Sequence, residues 1–111
     1  MADDLIDLPT LKELEETVGA DFVAELVAAF LEEAPGMIAE LRTTLDDGEA
    51  DAFRRAAHSL KTNANTFGAQ VLGAQALTLE QEGLPDSTAA IDTLESLYVE
   101  TATALQAISN G

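Results

Sequence analysis

His58 is the only histidine in the chain, and it stands among cations. Arg54 lies four residues before it and Lys61 three residues after it, with Arg55, Thr62 and Asn65 close by. Positions three and four apart are neighbours on a helix surface, so Arg54, His58 and Lys61 share one face. The sequence has five Lys and Arg residues, and three of them fall between positions 54 and 61. In a chain of formal net charge −16, that clustering makes a local positive patch around the imidazole. An unperturbed imidazole titrates at about 6.5, so at neutral pH much of it is uncharged and nucleophilic. Neighbouring cations favour the neutral ring and attract an anion. These residues suit a nucleophile that takes up an anionic group such as a phosphoryl. Such chemistry needs an accessible nitrogen, nearby positive charge and room for another protein's active site.

Other chemistries lack their residues. The chain has no cysteine, which excludes thiol catalysis, disulfides and cysteine-held zinc or iron–sulfur sites. A zinc site built on His58 would need carboxylates for its remaining ligands, and Arg54 and Lys61 would oppose the metal. Ser59 follows His58 directly and diverges from it on a helix, so the two form no Ser–His pair. No Gly-rich phosphate loop is visible. The pairs Glu15-Glu16 and Glu32-Glu33 diverge in the same way and read as solvated surface. No metal or cofactor is therefore expected on this chain. The acidic balance repels nucleic-acid phosphates and anionic lipid, so neither is an expected partner. Glu25 and the Glu32-Glu33 pair interrupt the best apolar run, leaving no membrane span. Met1-Ala2-Asp3-Asp4 is acidic where a secretory leader would be basic, and a cytoplasmic location is expected.

The elements that must position His58 read as helices. At 47% apolar residues and 5% aromatic, the chain can bury a core of Leu, Ala, Val and Ile. After an acidic lead-in over residues 1–9, a domain is expected over residues 10–111. Thr10 is placed as a helix cap, with Glu13 completing a capping box and Gly19 as the stop. A second helix starts near Ala20 or Asp21 with Phe22, Val23, Leu26, Val27, Phe30 and Leu31 at the spacing of one face. The same face resumes beyond Pro35-Gly36 in Met37, Ile38, Leu41 and Leu45. Periodicity alone leaves open whether this is one kinked helix or two. A third helix, from about Glu49 to Thr66, carries Phe53, Ala56, Ala57, Leu60, Ala64 and Phe67 inward. At about 100° per residue, His58 lies roughly 140° or more from the middle of that stripe, on the outward face. A fourth helix runs from beyond Gly68 to Gly83, with Val71, Leu72, Ala76 and Leu79 inward. Leu84-Pro85-Asp86-Ser87 forms a turn. The last helix carries Ile91, Leu94, Tyr98, Thr101, Leu105 and Ile108. The fold expected is all-α, an up-down-up-down four-helix bundle with an additional short N-terminal helix.

The stretch from Ala57 to Ala69 resembles the signature of histidine-containing phosphotransfer (HPt) domains. That signature is His-x-Leu-Lys, then small and polar residues, then an apolar residue before Gly. His58, Leu60, Lys61, Ala64, Phe67 and Gly68 match it. Phe30-Leu31 to Pro35 with Leu41-Arg42 is similar to the family's preceding helix, and Leu79-Glu80 to the following one. The likeness spans roughly Thr10 to Ile108. It implies a multistep two-component phosphorelay, in which His58 accepts a phosphoryl group from a receiver-domain aspartate and passes it to another receiver. The module would have no kinase activity of its own, and the receiver would supply magnesium and most of the transfer machinery. Partners would be the receiver domains of hybrid kinases and response regulators. Lys61, with Arg54, would steady the phosphoryl group. Arg55, Thr62, Asn65 and Gly68 would form the docking face, and Glu80 would orient the imidazole. Thr62 departs from the family, which often has Gly there, and its bulk bears on partner choice. A face that must stay free around His58 implies a monomer.

Two rival readings use the same residues. One is a helical interaction module that binds a receiver or kinase without carrying phosphate. It has no need of both His58 and Lys61. The other is an unrelated acidic bundle with a surface histidine, which would never carry an acid-labile phosphate.

Overall fold

The computed structural model describes residues 5–110, the side chains of Ser109 and Asn110 excepted. Residues 1–4 of the acidic lead-in and the terminal Gly111 lie outside the described residues. The helices are α1 (Leu8–Val18), α2 (Ala20–Asp47), α3 (Ala50–Thr66), α4 (Gln70–Glu82) and α5 (Ala89–Asn110). No strand occurs among the described residues.

α1 starts three residues earlier than the capping-box reading places it. Asp7 is the N-cap, in extended conformation, and Pro9 occupies the first turn, where a missing N–H costs nothing. Thr10 is therefore inside the helix, and its hydroxyl donates back to the Asp7 carboxylate. Gly19, at φ 93°, ends α1 and starts α2.

α2 is continuous through Pro35, so the segment is one helix rather than two. Proline has no N–H to give the carbonyl of Leu31 one turn earlier. The Tyr98 hydroxyl, reaching over from α5, donates to that carbonyl at 3.1 Å. The interruption in the helix ladder is thus repaired by a side chain from a neighbouring helix. Val23, Val27, Phe30, Ala34, Ile38 and Leu41 form the buried stripe. Phe22, one residue off that stripe, is 48% exposed, against expectation. Val71 in α4 is exposed for the same reason, while Leu72, Ala76 and Leu79 point inward.

α2 packs on α3, α3 on α4, α4 on α5, and α5 back on α2, giving the up-down-up-down bundle. Phe53, Leu60, Leu72, Ile91, Leu94 and Leu105 are fully buried at its centre. Each such side chain contributes roughly 2 kcal/mol by burial. Phe30 sits between Phe67 at 5.5 Å and Tyr98 at 6.3 Å, joining α2, the α3–α4 turn and α5. The Arg42 guanidinium spans Asp92 at 2.8 Å and Glu95 at 2.7 Å, fixing α2 against the start of α5. α1 closes the end of the bundle where α3 passes into α4, with Ile6 and Leu11 buried and the Asp7 N–H donating to the Gly68 carbonyl at 2.6 Å. Among the described residues no helix is long and apolar enough to cross a membrane.

Candidate functional site

α3 buries Phe53, Ala56, Ala57, Leu60 and Ala64, so His58 is turned away from the core. Its side chain is 57% exposed. Nδ1 lies 2.9 Å from Oε2 of Glu80 on α4. A carboxylate only accepts, so Nδ1 carries the hydrogen and donates it. In the neutral ring that assignment leaves the lone pair on Nε2. Among the described residues nothing bonds to Nε2.

The second oxygen of Glu80 belongs to Lys61. Nζ approaches Oε1 to 2.9 Å, with side chains only 22% and 25% exposed. Oε1 is shielded from solvent and has no aligned hydrogen-bond donor, so Lys61 serves it as an ion partner. The Lys61 ammonium, more than the imidazole, holds the Glu80 carboxyl below its ordinary 4.5, against partial desolvation acting the other way. Helix spacing places cations beside the ring, and the family resemblance implies Glu80 as its orienter. The charged group in contact with the ring is the Glu80 carboxylate, and Lys61 faces that carboxylate.

Arg54 and Arg55 are exposed and have no ion-pair partner among the described residues. With His58, Ser59 and Glu80 they line an open hollow of about 360 Å³. The Arg54 guanidinium lies across Gly83, with Nη2 3.1 Å from where a Cβ would stand. On the opposite side of His58, Asn65 folds over Gly73, where a Cβ would come within 2.1 Å of its Oδ1. Thr62 is exposed beside it, and its carbonyl accepts the Thr66 hydroxyl at 3.0 Å.

Gly68 does not share this surface. It is buried beneath Asp7 and Thr10, with φ 76°, and a Cβ there would meet the Asp7 carbonyl at 2.6 Å. Ten residues of helix and turn, about 15 Å, separate it from His58. Its place is in the α3–α4 turn, and the expectation of a docking role is corrected. Ser59 lines the hollow, and Gly73 and Gly83 lie against Asn65 and Arg54; types and spacing assign none of the three to this surface. Ser59 stands four residues after Arg55, a spacing that could have placed it beside the hollow. The two glycines carried no signal beyond that of helix punctuation. Among the described residues no group of three or more His, Cys, Asp or Glu side chains could hold a metal.

A family model described as Hpt domain matches residues 25–111, which take in most of α2 and all of α3, α4 and α5, but not α1. No curated protein and no solved structure matches the chain.

Proposed function

This chain belongs to the Hpt domain family, the histidine phosphotransfer modules of phosphorelay signalling, and from that premise we propose that His58 is its phosphoacceptor. The observation that carries the reading is the Glu80 carboxylate on Nδ1, with Nε2 left bare on an exposed ring. The Nε2 lone pair attacks the phosphorus of a receiver's aspartyl phosphate. An N–P bond forms, the P–O bond to the aspartyl carboxyl breaks, and the carboxylate leaves with the electron pair. No proton has to move. The ring keeps its Nδ1 hydrogen and becomes a phosphoimidazolium, whose positive charge faces the Glu80 carboxylate. Lys61 keeps that carboxylate ionised and in place. The reverse step delivers the phosphoryl group to a second receiver.

Exposed Arg54, with no ion-pair partner among the described residues, offsets phosphoryl charge in a chain that is otherwise strongly acidic. Exposed Arg55, Thr62 and Asn65 form the docking face. The chain is a carrier without kinase activity, working as a cytoplasmic monomer, and magnesium belongs to the receiver. Incubation with a phosphorylated receiver domain and magnesium tests this. Wild type is expected to take up acid-labile, base-stable phosphate, and His58→Gln none. Receivers that bind the wild type without labelling it would favour the interaction module instead.

A further inference from the structure

We propose that the phosphoryl group on His58 is held on the Arg54 side of the ring, in the hollow lined by Arg54, Arg55 and Ser59, and that Gly83 is the residue that positions Arg54 there. The inference rests on His58 being the phosphoacceptor, and it assigns Lys61 to Glu80 rather than to the phosphoryl group.

The first argument is which cations are available. Lys61 is committed to Glu80 Oε1 at 2.9 Å, and that oxygen is shielded from solvent. Turning Lys61 towards a phosphoryl group would strand it, and an unpaired, partly buried carboxylate oxygen is costly. Arg54 and Arg55 have no ion-pair partner among the described residues. The second argument is space. The hollow beside the ring is lined by Arg54, Arg55, His58, Ser59 and Glu80, and by neither Lys61 nor Asn65.

The third argument is the seat. Gly83 caps the C-terminus of α4 at φ 78°, and its N–H donates to the Leu79 carbonyl. The last carbonyls of a helix carry partial negative charge. The Arg54 guanidinium rests on this end, so close that a Cβ on Gly83 would crowd Nη2 at 3.1 Å. A cation seated on a helix C-terminus is oriented without being neutralised by a full carboxylate charge. Its fork of N–H groups suits phosphoryl oxygens. Ser59 adds a hydroxyl in the same hollow.

Phosphoramidate tests the arrangement on the full chain without any partner. In that reaction the His58 Nε2–P bond forms, the P–N bond of the donor breaks, and ammonia leaves with the electron pair. The donor's ammonium already holds the proton that ammonia keeps. At donor concentrations below saturation, Arg54→Gln is expected to slow labelling about fivefold, the size of one solvent-exposed charge-assisted hydrogen bond. The loss should appear in the half-saturating donor concentration more than in the maximal rate. Arg54→Lys should recover part of it. Lys61→Gln is expected to slow labelling less than Arg54→Gln. Gly83→Ala, checked for native helicity by circular dichroism, should slow labelling in the wild-type background but not in Arg54→Gln. A Gly83 effect that persists without Arg54 would make Gly83 merely structural and overturn its role. A larger loss in Lys61→Gln than in Arg54→Gln would place the phosphoryl group on the other side and overturn the proposal. Wild type that takes no label, or label that survives His58→Gln, would instead refute the phosphoacceptor premise.

Discussion

Tyr98→Phe isolates the bond that lets α2 run through Pro35. The substitution keeps the ring, and with it the edge contact to Phe30 at 6.3 Å, but removes the hydroxyl that donates to the Leu31 carbonyl at 3.1 Å. That carbonyl has no helical donor, because residue 35 is proline. A net hydrogen bond is worth about 1 kcal/mol, and stranding a partly buried carbonyl adds to the loss, so the expected cost is about 1–2 kcal/mol. Unfolding entropy of about 2.1 cal/mol/K per residue converts this to a Tm lower by about 4–9 °C for a chain of this length. Thermal and urea unfolding followed by circular dichroism measure it. The mechanism makes a sharper demand in the Pro35→Ala background. There the backbone regains an N–H at position 35 to supply the Leu31 carbonyl, and Tyr98→Phe should cost only about 0.5 kcal/mol. An equal cost in both backgrounds would refute the idea that Tyr98 stands in for the missing N–H.

Glu80 sets an acid-dependent stability. Its carboxyl is held below the ordinary value, chiefly by Lys61. Its contribution is therefore present in full above the unfolded value and is lost as pH falls through the depressed folded value. Urea midpoints for wild type should drop across that acid window, and Glu80→Gln should flatten the drop. Two glycines should respond in opposite directions. Gly68→Ala forces a side chain into φ 76° and towards the Asp7 carbonyl, and should cost about 2 kcal/mol or more. Gly36→Ala, inside α2 with open space around it, should stabilise by roughly 0.5–1 kcal/mol. Urea unfolding of the two variants separates these effects.

The bundle was readable because burial has a period. The α3 stripe from Phe53 to Ala64 sets His58 outside, because it lies roughly 140° or more from the middle of that 3.6-residue pattern. Phe22 and Val71 misled for a related reason: each borders its stripe by one residue, and apolar type alone does not say which side of the border is buried. The helix through Pro35 was open to either reading because its solution, Tyr98, lies 63 residues away along the chain. At the site, types and spacing on one helix bring Arg54, His58 and Lys61 to one face. They could not show that Glu80, on the next helix, would stand between the imidazole and the lysine. The seat of Arg54 on Gly83 was likewise hidden, because a glycine at a helix end is explained by its backbone conformation alone. Gly68 shows the converse, a motif residue whose position in the signature reveals nothing of the α1 residues that cover it.

The most direct test of the account is nitrogen and phosphorus NMR on the uniformly labelled chain after phosphorylation by a receiver. The account predicts one phosphoramidate bond, on Nε2 of His58, with Nδ1 still protonated and bonded to Glu80. Phosphate on Nδ1, on another residue, or on none would contradict it.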